Sequence, residues 1–331
     1  MAYKDNKLGV FIVPTGVGAS IGGFAGDASS YAKKFTDIGN LIVNPNVVNA
    51  GCFSGINNKM FYVEGYAIDE FFKGKVNLKE SKNNKLGIVF DKSIPQDVLN
   101  IHINTMSAVE KVYGIEEIEY VMTEEEVGVE FYIDDSGIST GYVKNIETLL
   151  KASKELINLG CEAIGVVCLF NDDNLNEDYE NGNGVDPIGG VEAIISHYMT
   201  KNLNIPCVHA PAFKEYDIST KVVNPKAAAE YITPTFLPCI LLGLINAPKL
   251  QKARKKDFDI SIDNVDYLVM PYNSLGSIPV FEALKRDIKV YAVRENVTLL
   301  NVTDKSINKK CGIKVVNTYK KCLELIEREI L

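Results

Sequence analysis

The chain has 331 residues, of which 46% are hydrophobic and 24% charged, and its formal net charge is −8. This length suits one large or two ordinary domains, and the composition is that of a globular protein. The acidic balance and the lack of a basic stripe interleaved with aromatic residues argue against nucleic acid as a partner. No apolar run reaches the roughly 18 residues of a membrane helix, so no membrane partner is expected.

Two features of the chain predict its compartment. Residues 1–7 pass directly into an apolar strand, without the hydrophobic core of a signal peptide. The seven cysteines are spread along the chain with no CxxC pair, which is typical of reduced thiols. The sequence therefore predicts a cytoplasmic protein.

Short apolar strands alternate with helical patterns along the chain. The predicted strands are 8–13, 41–43, 60–63, 86–90, 118–122, 127–133, 163–170, 205–209, 265–270, 289–293 and 313–316. The predicted helices are 28–35, 96–113, 145–159, 188–201, 225–231, 236–246, 280–286 and 319–329. This alternation predicts an α/β fold with a mainly parallel, Rossmann-like sheet flanked by helices. Ligands of such sheets bind beyond the carboxyl ends of the strands.

One internal similarity suggests two related halves around a central crevice. Segments 8–18 and 268–276 each contain a strand, a proline, a polar turn with glycine and the start of a helix. We therefore divide the chain into an N-terminal α/β half, 1–143, and a C-terminal α/β half, 144–331. The match is short, so chance is the alternative explanation.

The clearest candidate site is the glycine-rich turn after the first strand, where residues 16–26 contain five glycines. Glycines let backbone N–H groups approach a ligand closely, and a helix starting there would direct its positive end to the same place. Asp27 closes the turn and is expected either to cap the helix or to act as an acid or base. The candidate ligand-binding residues of this turn are Thr15, Gly16, Gly18, Gly22 and Gly23.

Two named phosphate-binding motifs do not fit this turn. A dinucleotide-binding fold places an acidic residue at the end of the second strand, but here that strand ends at Val43-Asn44. A P-loop requires Gly-Lys-Ser or Gly-Lys-Thr, and neither follows. The turn is interpreted as a generic anion cradle, with a tight structural turn as the alternative. The turn leaves the cofactor open, with a nucleotide as the candidate.

Polar residues also follow other predicted strands. Asn46 and Asn49 lie in an Asn-rich turn that suits a polar pocket or a plain structural turn equally. Glu64 follows the strand at 60–63, where carboxylates of parallel sheets face the site, although a surface position explains it too. Glu295 and Asn296 follow the strand at 289–293 and supply a charge and an amide.

Two of the three histidines lie within thirteen residues. His209 ends a short strand before a proline-bounded loop, which makes it the preferred general base. His197 is interpreted as a core or supporting residue, and Asp186 precedes a proline as a helix cap would. These three side chains lack the spacing of a known metal motif, so no metal is expected.

Cys239 follows a proline near the predicted start of a helix, where the pKa of a thiol can be lowered. With His209 it would form a nucleophile pair, and the alternative is a small buried hydrophobic side chain. Two charged segments, 171–184 and 249–256, are interpreted as solvated loops.

Seven strings carry a family resemblance: PTGVGASIGGFAGDA, NPNVVNAG, YVEGYAID, GVDPIGGVEAIISH, IPCVHAPAF, TFLPC and REN-x-T. In combination they resemble domain-of-unknown-function family 3326, which occurs in photosynthetic and other bacteria and in plastids. The resemblance covers nearly the whole chain and implies that the candidate segments form one recurring pattern, without implying an activity. The chain departs from that pattern around Cys52 and at 273–277, which are therefore poor choices for the site.

Together these residues predict an enzyme that binds a small anionic substrate, bearing phosphate or carboxylate, in the glycine-rich turn and uses histidine for acid–base chemistry. The candidate catalytic residues are His209, Cys239, Asp27, Asp186 and Glu64. The alternatives are a Cys/His isomerase, racemase or lyase of a carboxylate, and a non-catalytic nucleotide or metabolite sensor. A homodimer is the default assembly of such enzymes.

Overall fold

The computed structural model of the chain describes residues 7–170, 179–213, 219–253, 260–307 and 312–330. The strands are β1 (Leu8–Phe11), β2 (Asn40–Val43), β3 (Asn49–Ala50), β4 (Phe53–Ser54), β5 (Met60–Tyr62), β6 (Val76–Lys79), β7 (Leu86–Phe90), β8 (Glu119–Met122), β9 (Val129–Ile133), β10 (Ser139–Val143), β11 (Ala163–Leu169), β12 (Cys207–Ala212), β13 (Lys249–Lys252), β14 (Tyr267–Pro271), β15 (Lys289–Val293) and β16 (Ile313–Val316). The α-helices are α1 (Ser29–Phe35), α2 (Pro45–Val48), α3 (Gly65–Phe72), α4 (Gln96–Tyr113), α5 (Ile146–Asn158), α6 (Gly189–Leu203), α7 (Ala228–Tyr231), α8 (Leu237–Leu244), α9 (Ile278–Lys285) and α10 (Tyr319–Ile330).

The larger sheet has the spatial order β16-β15-β14-β1-β2-β5, and all neighbouring strands in it are parallel. Its apolar strands are covered on both faces, because successive side chains of a strand point to opposite sides. Phe11 packs with residues of α1 and α10 on one face. Val10 packs with residues of α3 and α9 on the other face.

The chain order of the larger sheet reverses at its centre. From β1 the chain continues to β2 and β5 on one side, and from β14 it continues to β15 and β16 on the other. β1 and β14 are parallel neighbours. The carboxyl ends of β1 and β14 therefore flank the point where strand order reverses, which is where open parallel sheets hold their ligands.

A smaller parallel sheet, in the order β12-β11-β7-β8, is formed by the middle of the chain. One buried cluster joins the two sheets, since it contains Phe11 and Val43 of the larger sheet, Ile88 and Phe90 of the smaller sheet, and Ile240 of α8. The short antiparallel pairs of the described residues are β9–β10, β6–β13 and β3–β4.

The prediction of an α/β fold with parallel sheets is confirmed. The structure has β7, α4, β15 and β16 at their predicted bounds, while α3 and β6 have no counterpart among the predicted elements. The division at residue 143 stays a prediction, as does a relationship between two halves. The larger sheet takes strands from both ends of the chain.

The interpretation of segment 249–256 as a loop is wrong for its first four residues, which form β13. These residues pair antiparallel with β6, with Leu250 opposite Leu78. Lys249 forms an ion pair with Glu162. The rest of the basic segment from residue 254, like 171–178 of the acidic segment, lies outside the described residues. No helix of the described residues is long and apolar enough to cross a membrane.

Candidate functional site

The loop after β1 turns sharply at two glycines. Gly16 and Gly18 have φ angles of +74° and +58°, in the left-handed region where glycine is favoured. A methyl group built on Gly16 would lie 2.9 Å from the backbone nitrogen of Gly190, in the first turn of α6. The Gly16 carbonyl also accepts a hydrogen bond of 3.3 Å from the Ser139 N–H of β10. The loop is therefore fixed between α6 and the β9–β10 hairpin.

Residues 15–19 of this loop present five successive backbone N–H groups that have no hydrogen-bond partner within the described part of the chain. Left-handed turns with successive N–H groups form concave anion-binding surfaces. The loop borders an open cleft of about 240 Å³. The cleft is lined by Pro14, Thr15, Gly16, Val17, Gly18, Ala19, Gly23, Asn46, Val185 and Asp186.

Two asparagines that follow β2 hold the start of this loop. The Asn44 amide accepts a hydrogen bond from the Val13 N–H at 3.1 Å and donates one to the Val13 carbonyl at 2.8 Å. Asn46 Nδ2 donates to the carbonyls of Val13 and Pro14 at 3.2 and 3.0 Å. The asparagines thus occupy loop carbonyls and leave the following N–H groups to the cleft. Asn49 lies elsewhere, where its Oδ1 accepts from Tyr62 Oη at 2.8 Å.

The residues predicted after β15 hold the other end of the loop. Asn296 is fully buried. Its Oδ1 accepts from the Ile21 N–H at 3.0 Å, and its Nδ2 donates to the Ile21 carbonyl and Tyr319 Oη at 2.8 and 2.7 Å. The Glu295 carboxylate accepts from the Tyr319 N–H at the start of α10. These contacts give both side chains a positioning role.

Asp27 acts inside the glycine-rich turn rather than at a helix cap. Its Oδ1 accepts a hydrogen bond from the Gly22 N–H, and burial raises the pKa of Asp27 to about 6. α1 begins only at Ser29, with no side-chain cap, and the Ser29 N–H donates to the Gly26 carbonyl. The expectation that a helix start completes the cradle is therefore wrong, because the first amide of α1 is already paired.

Asp186 brings a carboxyl group to the opposite wall of the cleft. Its Oδ1 accepts from the N–H groups of Ile188 and Gly189 at 3.0 and 3.2 Å, at the start of α6. A methyl group built on Gly189 would lie 2.9 Å from Asp186 Oδ2 and 3.2 Å from Thr15 Cγ2. Burial and the charge of Glu192 raise the pKa of Asp186 to about 7. Near neutral pH this carboxyl group can hold or release a proton.

His209 lies outside the residues that line the cleft. Its Nε2 is 3.2 Å from Glu192 Oε2, and its Nδ1 contacts the Ser196 hydroxyl. Glu192 is 5% exposed, and its Oε1 has no partner among the described residues. Both ring nitrogens of His209 are therefore held by α6. The expected position facing the crevice is wrong, because β12 is a strand of the smaller sheet.

Glu64 and His197 form a second pair, between α3 and α6. Glu64 Oε1 is 2.6 Å from His197 Nδ1, and Glu64 Oε2 accepts from the Tyr66 N–H at 2.8 Å, which caps α3. Burial disfavours the charged imidazole, but the hydrogen bond and charge of Glu64 prevail and raise the pKa of His197. Neither residue lines the cleft.

Cys239 is 1% exposed in α8, and its Sγ donates to the Phe236 carbonyl at 3.1 Å. Burial raises the pKa of this thiol to about 12. The thiol is protonated at neutral pH, which does not suit a nucleophile. The described residues contain no group of three or more His, Cys, Asp or Glu arranged to hold a metal ion.

Comparisons with known proteins place the chain in a family. A family model described as protein of unknown function (DUF3326) matches residues 8–328. The chain belongs to this family. The resemblance seen in the sequence is thereby confirmed. A Synechococcus sp. protein named as an uncharacterized lipoprotein is 35% identical over 298 residues, which are 88% of this chain and 83% of that protein. No solved structure matches the chain.

The prediction of a cytoplasmic protein is wrong. The Synechococcus relative, similar over most of both chains, is named a lipoprotein. A covalent lipid holds a protein at a membrane without a spanning helix.

Sequence reasoning missed several residues that shape the cleft of this DUF3326 protein. Val185 lines it, and the Ser139 hydroxyl donates to the Pro187 carbonyl beside it. Glu230 Oε1 accepts from the Ala25 N–H at 2.6 Å, and burial raises the pKa of Glu230 to about 8. The Gly189-Gly190 pair was the available signal, because paired glycines at a helix start permit close packing.

Proposed function

We propose that the chain is an enzyme that binds a small anionic molecule in the cleft after β1 and exchanges a proton with it through Asp186. One observation carries the proposal. The N–H groups of residues 15–19, which have no partner in the described part of the chain, border the same cleft as the Asp186 carboxyl group. A cradle of donors and a titratable carboxyl group are the elements needed to hold an anion and move a proton.

The position of the cleft supports this proposal. Numbered in chain order within the larger sheet, the strands from β5 to β16 run 3-2-1-4-5-6. This is the order of doubly wound, Rossmann-like sheets, which bind ligands at the crevice between strands 1 and 4. We therefore propose a Rossmann-like sheet whose anion site is the loop after its first strand.

Binding would use neutral backbone donors, because the described residues that line the cleft include no Lys, Arg or His. Hydrogen bonds from N–H groups to an anion are stronger than those to a neutral acceptor. An ionised Asp186 would repel the anion, whereas a protonated Asp186 would donate a further hydrogen bond. Binding should therefore weaken as pH rises through about 7, the value to which burial and Glu192 raise the pKa of Asp186.

Asp186 replaces His209 as the proposed acid–base residue. Its Oδ1 is fixed by two N–H groups of α6, so Oδ2 is the atom that would give or take the proton. Glu192 and His209 interact electrostatically with Asp186. The interaction between Glu192 and His209 would therefore help to set the pKa of Asp186.

Sulfate is a suitable probe because its charge is constant between pH 5.5 and 8.5. Calorimetric titrations of the wild type and Asp186→Asn at both pH values test the proposal. We expect wild-type affinity to fall at least about fivefold across this range, and the variant to bind with little pH dependence. Equal pH dependence in both proteins would exclude Asp186 as the titrating group.

A turnover screen with phosphate and carboxylate esters then separates an enzyme from a sensor. Asp186→Asn keeps the acceptor for the two α6 N–H groups, so the variant should fold and bind sulfate. An enzyme loses turnover in this variant. A sensor shows anion binding in both proteins and turnover in neither.

A further inference from the structure

The β2 side of the cleft is closed by protein. In dinucleotide-binding sheets the end of strand 2 holds the adenosine ribose through an acidic side chain. Here the corresponding residue, Asn44, is 7% exposed, and both its amide oxygen and its amide nitrogen are hydrogen-bonded to the backbone of Val13. α2 follows directly and packs against α1 and α8. An adenosine ribose therefore has no acidic partner at this position.

The cleft also suits few negative charges. Polyphosphates are held by lysine, arginine or metal ions, and the lining formed by residues that the structure describes contains no cationic side chain. Asp186 would repel a second charge. A single anionic group matches the available donors.

Two exposed apolar side chains lie beside the glycine-rich turn, in the segment that follows β15. Val297 and Leu299 are 53% and 44% exposed. Both are held against the glycine-rich turn, since the Val297 carbonyl accepts from the Ser20 N–H at 2.7 Å and the Leu299 N–H donates to the Val17 carbonyl at 2.9 Å.

Leu299 reaches the lining of the cleft itself. A methyl group built on Gly18 would lie 2.9 Å from Val185 Cγ2 and 3.2 Å from Leu299 Cγ, so these two side chains flank Gly18. One built on Gly137, beyond β9, would lie 3.1 Å from Leu299 Cδ1. An anion on residues 15–19 would therefore have an apolar rim beside it.

We infer that the ligand carries one anionic group on a small apolar body, which lies against Val185, Val297 and Leu299, and that it is not a dinucleotide. This inference rests on the proposed anion site. The amides of residues 15–19 hold the charged group, while the exposed valine and leucine side chains are covered by the body of the ligand.

A series of alkyl phosphates tests this ligand class. Calorimetric titrations at pH 6 compare inorganic, methyl, butyl and hexyl phosphate, with NAD⁺ and hexanol as further probes. Each buried methylene tightens binding by up to about fourfold. We expect hexyl phosphate to bind at least about tenfold more tightly than methyl phosphate, and NAD⁺ and hexanol to bind no more tightly than methyl phosphate.

A double variant identifies the apolar rim. Val297→Ser with Leu299→Ser should reduce the hexyl-to-methyl affinity ratio to less than about threefold, because serine offers the alkyl chain little apolar surface. Phe281→Ser is the matched control. Phe281 is 43% exposed on α9, and its replacement should leave the ratio at the wild-type value.

The outcomes separate this inference from the proposal beneath it. Equal affinity for methyl and hexyl phosphate, an unchanged ratio in the double variant, or tighter binding of NAD⁺ overturns the inference and leaves the anion site standing. Binding of none of the phosphates, with the wild type folded, overturns both.

Discussion

The loops after β1 and β14 occupy equivalent positions beside each other and treat their polar groups in opposite ways. After β1, the N–H groups of residues 15–19 have no partner within the described residues. After β14, the Asn273 amide donates to the carbonyls of Thr298 and Leu300 at 2.7 and 2.6 Å, and its Oδ1 accepts from the Thr298 N–H at 3.0 Å. The loop after β1 thus leaves five successive N–H groups for a ligand, while after β14 the N–H groups of Tyr272, Ser274 and Leu275 are paired with carbonyls of the protein.

This difference shows that position in the sheet is not enough to make a site. Both loops follow a buried parallel strand, with Pro14 just after β1 and Pro271 at the end of β14. Only the loop after β1 has glycines with positive φ in succession, Gly16 and Gly18. A backbone that alternates in this way turns neighbouring N–H groups to one side, which a chain of extended residues cannot do.

The largest expected effect is a loss of stability when a methyl group is added to a glycine, and its size should differ between the two loops. Gly16→Ala adds a side chain at positive φ, 2.9 Å from a backbone nitrogen, and should lower the free energy of unfolding by about 2–4 kcal/mol. Gly276→Ala meets only Val302 side-chain atoms at 3.2 Å or more, and should cost less than about 1 kcal/mol. Urea denaturation of both variants checks this, and equal losses would contradict the contrast.

A second prediction concerns pH. Burial raises the pKa of Asp186 to about 7, so folding favours its protonated form and its contribution to stability is lost as pH rises from about 4 through 7. Asp186→Asn cannot ionise and should be more stable than the wild type by about 2 kcal/mol at pH 8, with no gain at pH 4.

The control for Asp186→Asn removes a hydrogen bond between two uncharged groups beside β14. Ser274 is 2% exposed, and its hydroxyl lies 3.0 Å from Thr298 Oγ1. Ser274→Ala should cost about 1 kcal/mol at both pH values. Thermal unfolding of the two variants at pH 4 and pH 8 tests this contrast. A gain in stability for Asp186→Asn that is equal at the two pH values would refute the raised pKa of Asp186.

The smallest expected effect comes from one charge on each loop. Thr15→Asp places a carboxylate beside the N–H groups and should weaken sulfate binding at least about tenfold, whereas the uncharged Thr15→Asn, of the same size as Asp, should keep most of it. Ser277→Asp adds the same charge at the cap of α9, after the β14 loop. It should leave sulfate affinity within about twofold of the wild type.

The sequence revealed the elements more readily than their arrangement. Apolar runs and glycine turns were enough to predict β7 and α4 at their observed bounds. The pairing of β1 with β14 joins residues more than 250 positions apart, and no local pattern encodes such a contact. For the same reason the sequence did not show that the strand ending in His209 lies in the smaller sheet.

The glycine-rich turn was predicted as a cradle for a reason that holds only in part. Four of its five glycines do take the left-handed conformation, but the N–H groups without partners among the described residues precede Ser20, well before α1 begins. Cys239 shows the opposite failure. A proline before a cysteine suggests an activated thiol, whereas the packing of α8 buries it and raises its pKa. Burial is a property of the fold and not of the local sequence.

Backbone amide NMR with sulfate tests the anion site most directly. The protein labelled with ¹⁵N and ²H is titrated at pH 6, and the amide signals of residues 15–19 are compared with those of 272–276. We expect the largest shifts at residues 15–19, with a common dissociation constant, and little change at 272–276. Shifts confined to other residues, or none at saturating sulfate, would contradict an anion site in the loop after β1.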